Sequence, residues 1–380
     1  MPRRTAYILI LSVMSLLAIG VVMLLSTGAF ARDSHGDMYY FLRRQVMWLV
    51  IGSGLLVVAS MVDYRWWARG WLPLYILAAV LLVLCFIPPI GMKINGSWRW
   101  INLGVATFQP SELGKVAVLV FLAWRYHRYE EEAGEFWRGF AFPLAIAGLI
   151  MGLIVLEVDL GATALIGVTS LAVMFVAGTG LRWLVPMLMA GLLGLAFAIP
   201  QIPERMGRMM AFLDPQAYRL EEGLQQWQAM LPFGAGGVSG LGLGEGRQKM
   251  LYLPYAHTDF IFPMIGEELG LRFTLLTVFC FLLILLAGVL IAMNARDRFG
   301  MLLGFGVTIA ITLQAAINIG VTTSLLPNKG MPLPFISYGG SNLAVSMLMI
   351  GILLNIHRQG RRVPKARMRA VAATSGAGRF

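Results

Sequence analysis

Residues 6–25 read AYILILSVMSLLAIGVVMLL, an unbroken run without a charged side chain. A helix that crosses the hydrocarbon core of a bilayer needs about 20 mostly apolar residues, and this run supplies them. Arg3 and Arg4 precede it and a polar Ser26-Thr27 follows. A secretory leader also begins basic and then apolar, but this run is long enough to span and ends without a small-x-small cleavage site. It therefore reads as a membrane helix that stays in the chain.

The same character recurs outward from this stretch. Spans are expected at about 6–26, 45–62, 71–88, 111–125, 140–157, 160–178, 182–200, 259–292, 300–325 and 340–357. Hydrophobic residues make up 58% of the chain and charged residues 13%, against about 25% charge in an average soluble domain. Mean hydropathy is +0.75. The expected fold class is an all-α polytopic membrane protein of about ten transmembrane helices. Residues 1–357 form one transmembrane domain, with a large extracytoplasmic loop at about 200–258 between spans seven and eight. Residues 358–380 form a basic cytoplasmic tail without fixed structure.

With ten spans, Arg3/Arg4, Arg65/Arg69, Arg125/Arg128/Arg138, Arg182, Arg296/Arg298 and the tail from Arg358 fall on one side. The positive-inside rule makes that side cytoplasmic, with both termini there. The net charge of +11 is thereby explained by loops facing anionic lipid, and nucleic acid is not an expected partner. Cys85 and Cys280 lie inside apolar runs and are expected as buried free thiols. The glycine run GAGGVSGLGLGEG (234–246) follows no strand, and no phosphate-binding G-x-x-x-x-G-K-[ST] occurs, so a nucleotide site has little support.

The opposite face collects the unusual sequence. In PYAHTDFIFPMIGEELG (254–270), Asp259 opens a long apolar run. An acid at such a boundary is costly unless it meets water, a partner or a substrate. Partly desolvated, it would have a raised pKa and serve as a general base. The competing reading is that Thr258 or Asp259 caps the eighth span. Glu112 and Lys115 sit three apart at the start of span four and share a helix face. An internal ion pair and a substrate site are equally good accounts of them. Arg99, between Trp98 and Trp100, reads first as an interfacial anchor and second as a phosphate ligand. Arg247, Lys249 and Lys329 are further cations able to neutralise a diphosphate. Glu157 and Asp159 suggest a tight polar hairpin, and Glu267 and Glu268 suggest packing partners for polar groups such as Arg272 or for neighbouring helices. His35 and His127 carry no assignment, and no recognised metal spacing occurs.

Three motifs make these residues familiar: GSWRWINLGVATFQPSELGK (96–115), AHTDFIF (256–262) with GEELG (266–270), and LLPNKGMPLPFISYGGS (325–341). Together they resemble the SEDS family, named for shape, elongation, division and sporulation. STGAFARDSHGDMYYFLRRQ (26–45) is closer to the division and sporulation branch than to the elongation branch. Two positions depart from the family pattern: Val158 stands where a proline is usual, and Tyr255 where a glutamate is usual. The resemblance implies a peptidoglycan glycosyltransferase of the bacterial cytoplasmic (inner) membrane. It would polymerise lipid II into β-1,4 glycan at the outer face, beside a class B penicillin-binding protein and other division or elongation proteins. It carries Asp259 over as the catalytic acid and Glu112 and Lys115 as sensitive cavity positions. Whether a divalent cation, magnesium or manganese, takes part is open. The alternatives are a lipid II flippase and a non-catalytic division scaffold.

Overall fold

The computed structural model describes residues 3–28, 37, 39–94, 96–104, 106–201, 203–214, 216–218, 223–248 and 257–361. His35, Lys249, Tyr255 and the tail from Arg362 onward lie outside the described residues.

Helices fill all ten expected stretches: α1 (Arg3–Gly28), α2 (Tyr40–Met61), α4 (Trp71–Leu84), α5 (Pro110–Arg128), α6 (Phe142–Leu156), α7 (Leu160–Val176), α8 (Leu181–Ala198), α11 (Ile261–Met293), α12 (Arg298–Thr322) and α13 (Gly340–Gly360). A short α3 (Arg65–Arg69) precedes α4, and α9 (Pro203–Leu213) and α10 (Leu224–Gly236) fold within the long loop. Seven helices, with α6 extended back to Phe136, are long and apolar enough to cross a membrane. Helices α4 and α7 are apolar but shorter, and α5 carries Glu112, Lys115, Arg125 and Arg128. The chain is a multi-pass membrane protein by these helices, while ten crossings remains the expectation from sequence. Helix α13 runs to Gly360, so the first residues expected in the tail are helical.

Burial is graded from the centre outward. Helix α5 packs against α4, α6, α7, α12 and α13, and nearly all of it is buried despite its charges. Helix α13 is covered by α2, α11 and α12. By contrast α8 buries Leu184 alone and turns Leu188, Leu192, Leu193 and Phe197 outward. Apolar surface facing outward and ions facing inward are the arrangement a lipid solvent favours.

The arginines expected on one side do meet at one end of the bundle. Arg65 pairs with Asp297 at 3.0 Å and Arg125 with Glu132 at 2.5 Å. Arg298 pairs with Glu130 and also donates to the Ala177 carbonyl. Arg358 donates to the Met61 carbonyl at 2.7 Å.

At the other end, the connection between the expected spans 71–88 and 111–125 contains a small antiparallel sheet in the order β1 (Gly91–Ile94), β2 (Ser97–Asn102) and β3 (Thr107–Phe108). The Ser-Trp-Arg-Trp-Ile-Asn run of β2 carries the aromatic and β-branched residues that suit a pleated, half-buried surface. Ser97 ties this sheet down by donating to the Glu157 carbonyl.

Candidate active site

A cavity of about 280 Å3 opens at the sheet end. Its wall is contributed by α2, the β2–β3 region, the first turns of α5 and α7, residues 257–259, and the loop leading into α13. Five of these elements begin or end there, so their polar terminal groups converge.

Two side chains one turn apart on α12 hold the loops in place. Gln314 donates to the Pro332 carbonyl at 3.0 Å. Asn318 donates to the carbonyls of Met331 at 2.6 Å and Asp259 at 2.8 Å. Ser337 adds a bond to the Thr258 carbonyl at 2.6 Å, and the Tyr338 N–H reaches the His257 carbonyl at 3.0 Å. The segment bearing Asp259 is thus fixed through its backbone, which leaves the carboxylate free to face the cavity.

Asp259 does not cap α11. That helix has Phe260 at its N-cap and no capping side chain. Among the described residues the Asp259 carboxylate lies against Gly330, where an added Cβ would sit 2.5 Å from Oδ2. Burial pushes its pKa up to about 6, with Arg99 and Lys329 pulling it down and Asp159 pushing it up. Desolvation wins over the two cations.

Asp159, expected only in a polar hairpin, proves to be the hub of the site. It caps α7 by accepting from the Ala162 N–H at 3.1 Å and also accepts from Gln109 at 3.2 Å. Lys329 Nζ stands 3.3 Å from its Oδ1, and Arg99 stands 3.9 Å from its Oδ2. Lys329 can lie across the first turn of α7 because residue 161 is glycine; a Cβ there would fall 2.2 Å from its Cε. Burial holds the Lys329 ammonium below its ordinary pKa, with Asp159 opposing. Arg99 therefore lines the cavity, and its buried Nε has no hydrogen-bond partner among the described residues.

Glu112 and Lys115 form an internal ion pair at 2.8 Å, as one of the two readings held, and they also line the cavity. Lys115 donates to Gln314 at 2.9 Å, and Asn342 donates to Glu112 at 3.1 Å. Arg247 does not join them. Its side chain is exposed, and its N–H is bound by Glu267 at 2.9 Å. Glu267 and Glu268 are buried and hold the glycine run by its backbone: Glu267 takes Arg247 and Gln248, and Glu268 takes Gly244 at 3.0 Å. Arg272 is exposed. The packing role expected for the two glutamates is thus met by a loop and, for Glu268, also by a neighbouring helix, whose Ser26 hydroxyl donates to the carboxylate at 2.6 Å. Cys85 and Cys280 are buried free thiols.

Sequence reasoning missed Asp159, Gln109, Gln314, Asn318, Asn342 and Arg44, all but Asn318 in the cavity wall. Asp159 had a local signal, since an Asp immediately before an apolar helical run is a favoured N-cap. The amides had none, because each works across a sequence separation that only the fold closes. Among the described residues no three His, Cys, Asp or Glu side chains gather as a metal site.

Comparison with known proteins agrees with this arrangement. Residues 6–362 match the family model of FtsW, RodA and SpoVE, described as cell cycle proteins. The chain is 38% identical over 363 residues to the probable peptidoglycan glycosyltransferase FtsW of Geobacter metallireducens, covering 95% of this chain and 97% of that one. It is 38% identical to its counterpart of the same name in Legionella pneumophila, covering 93% and 91%. Among solved structures it resembles a chain from a peptidoglycan synthase complex that coordinates polymerization and crosslinking, with TM-score 0.76, 27% identity and coverage of 93% and 98%. It also resembles the rod shape determining protein RodA of Thermus thermophilus, with TM-score 0.68, 26% identity and coverage of 93% and 97%. With the motifs, the helices and the cavity in agreement, the chain belongs to the FtsW, RodA and SpoVE family of cell cycle proteins.

Proposed function

We propose that this protein is a peptidoglycan glycosyltransferase that polymerises lipid II, with Asp259 as the general base. The observation that carries the reading is the Asp259 carboxylate, held by its backbone in a cavity between cations and shifted toward neutral pH. A base is most useful when its pKa lies near the working pH. Asp259 takes the proton from the 4-hydroxyl of the acceptor GlcNAc. The freed oxygen pair bonds to the anomeric carbon of the donor MurNAc, and the bond from that carbon to the diphosphate breaks with its electron pair leaving on the diphosphate. Displacement at an α-linked donor gives a β-1,4 glycan. Arg99 and Lys329 stabilise the departing charge. Asp159 keeps both cations at the site, and Glu112 with Lys115 shapes its inner wall. A divalent ion would take most of its ligands from water and the diphosphate, as magnesium commonly does.

The cavity faces the outer side of the bacterial cytoplasmic membrane, because the paired arginines occupy the other end of the bundle. A transporter would need a polar path across the bilayer. Below Lys115, α5 continues with buried Val116, Ala117, Val118, Leu119, Val120, Phe121, Leu122 and Ala123 before the next charge at Arg125. The polar side chains of α5 stop there, which favours an enzyme over a flippase. A class B penicillin-binding protein, which would crosslink the strands, is the fitting partner.

The test is incubation of the purified protein with lipid II, with and without that partner and divalent ions, followed by gel separation of the glycan. Polymer from the wild type and none from Asp259→Asn is expected. Polymer at the wild-type rate from the variant would remove Asp259 as the base, and transfer of lipid II across liposomes by the protein alone would favour the flippase.

A further inference from the structure

The Asp259 carboxylate rests on a wall that has no side chain. A Cβ added at Gly330 would stand 2.5 Å from its Oδ2, so the carboxylate occupies space that any other residue would fill. Gly330 is not among the glycines with a left-handed backbone. Position 330 therefore supplies room for the carboxylate, and its backbone is one that an L-residue can adopt.

Neither side of this contact is free to give way. Lys329, just before the glycine, is held by Asp159 at 3.3 Å. The carbonyls of Met331 and Pro332, just after it, are held by Asn318 at 2.6 Å and Gln314 at 3.0 Å. Across the contact, the same Asn318 Nδ2 holds the Asp259 carbonyl at 2.8 Å, and Ser337 holds the Thr258 carbonyl at 2.6 Å. One buried amide nitrogen thus ties both segments together and fixes how far the base stands from position 330. Asn318 itself does not line the cavity.

We infer that Asn318 and Gly330 are positioning residues, which together set the depth at which the Asp259 carboxylate sits in the cavity. The catalytic consequence rests on the polymerase reading. With alanine at 330 and both segments clamped, the carboxylate must retreat by roughly 1 Å to reach an ordinary contact distance. Away from that wall lie the water and the cations of the cavity. Burial is the largest influence on Asp259 and raises its pKa, while Arg99 and Lys329 lower it and Asp159 raises it. The other charged or titratable groups of the cavity are engaged elsewhere: Glu112 with Lys115 at 2.8 Å, Arg44 beside the Tyr338 phenol, and His257 against Phe41. A carboxylate lifted from its seat is better hydrated or nearer a cation, and both favour the ionised form. It is then a weaker base, and a misplacement of about 1 Å can cost about 100-fold in rate. Loss of the Asn318 clamp acts in the same direction, because it releases the Asp259 backbone from the segment around Gly330.

The test uses the full chain, with Gly330→Ala as the smaller change and Asn318→Ala as the second. Leu325→Ala, exposed in the same loop, is the control. Infrared difference spectra against Asp259→Asn follow the titration of the carboxyl without turnover, and the glycan assay follows the rate across the same pH range. Wild type and Leu325→Ala should both titrate near pH 6. Gly330→Ala should titrate at about pH 5, nearer the ordinary Asp value, and lose about 10- to 100-fold in kcat with KM within about twofold. Asn318→Ala should move the same way. If Gly330→Ala and Asn318→Ala titrate with the wild type, the inference is overturned whatever their rates, and the polymerase reading stands on the wild-type glycan. A lowered titration in both variants with no glycan from the wild type would uphold the seat and sink the polymerase reading.

Discussion

Two groups of charge line the cavity, and they are built to opposite ends. Glu112 and Lys115 are closed: their side chains are only 10% and 3% exposed, they touch at 2.8 Å, and each has one further partner, Asn342 donating to Glu112 and Gln314 accepting from Lys115. Asp259, Asp159, Arg99 and Lys329 are open. Arg99 and Lys329 are 25% and 30% exposed, their distances to Asp159 are 3.9 and 3.3 Å, and the Asp259 carboxylate stands without a hydrogen bond among the described residues. A closed group loses stability when a member is removed, because the survivor is a buried uncompensated charge. An open group has loose ends that a substrate can complete, so its loss registers in activity. The contrast separates scaffold from machinery inside one cavity.

The sharpest way to break this division is Asp259→Asn. It should cost about 100- to 10,000-fold in polymerisation, the usual contribution of a general base, with the thermal midpoint unchanged or slightly raised. The pH profile carries the same information. The base works only when ionised, and its pKa is raised to about 6, so the rate should climb between pH 5 and 7 and be half-maximal near pH 6. A flat profile across that range would exclude Asp259 as the titrating base. The closed group predicts the reverse. Lys115→Met leaves Glu112 buried and unpaired and should cost roughly 3–5 kcal/mol of stability. The Glu112→Gln/Lys115→Met double variant should recover most of it, measured by thermal denaturation in detergent. If the single variant melts with the wild type, the pair is not closed.

The division was only half legible in the sequence. The helices could be placed because twenty-residue apolar runs have one physical meaning in a bilayer. Glu112 and Lys115 could be paired because helical spacing of three fixes their proximity. Asp259 could be singled out because an acid at a membrane boundary is costly. What could not be read was the company each residue keeps. Asp159 meets Lys329 across 170 residues of chain and Asn342 meets Glu112 across 230, and no local pattern encodes such meetings. Arg99 read first as an anchor for the same reason: two flanking tryptophans suggest one, and only the fold shows the arginine turned toward Asp159. Arg247 erred in the other direction, since charge sign and expected side placed it at the site while the Glu267 latch holds its backbone elsewhere.

Lys329 tests the open group from within. Without it, Asp159 still accepts from Gln109 and the Ala162 N–H and still faces Arg99. Lys329→Met should therefore cost less than about 1 kcal/mol of stability, yet lower kcat/KM about tenfold, equivalent to about 1.4 kcal/mol of transition-state stabilisation. A stability loss as large as that of Lys115→Met would place Lys329 with the closed group.

A test of a different kind lies at Glu157, which belongs to neither group. It is fully buried at the C-cap of α6, both carboxylate oxygens lack a hydrogen bond among the described residues, and its carbonyl, not its side chain, receives Ser97. Burial pushes its pKa up to about 8, Asp159 pushes it further, and Cys85 and Arg99 oppose. The sign of the linkage follows from this. Between the ordinary carboxylate value and about 8 the folded state holds a proton that the unfolded state has lost, so stability falls as pH rises through that window. Glu157→Gln cannot ionise and should escape this fall. The two proteins should melt together at pH 5 and separate at pH 9, with the variant the more stable. Melting curves that stay parallel from pH 5 to 9 would mean that Glu157 is already ionised in the fold, held by a cation such as Arg99. It would then have to be counted with the open group.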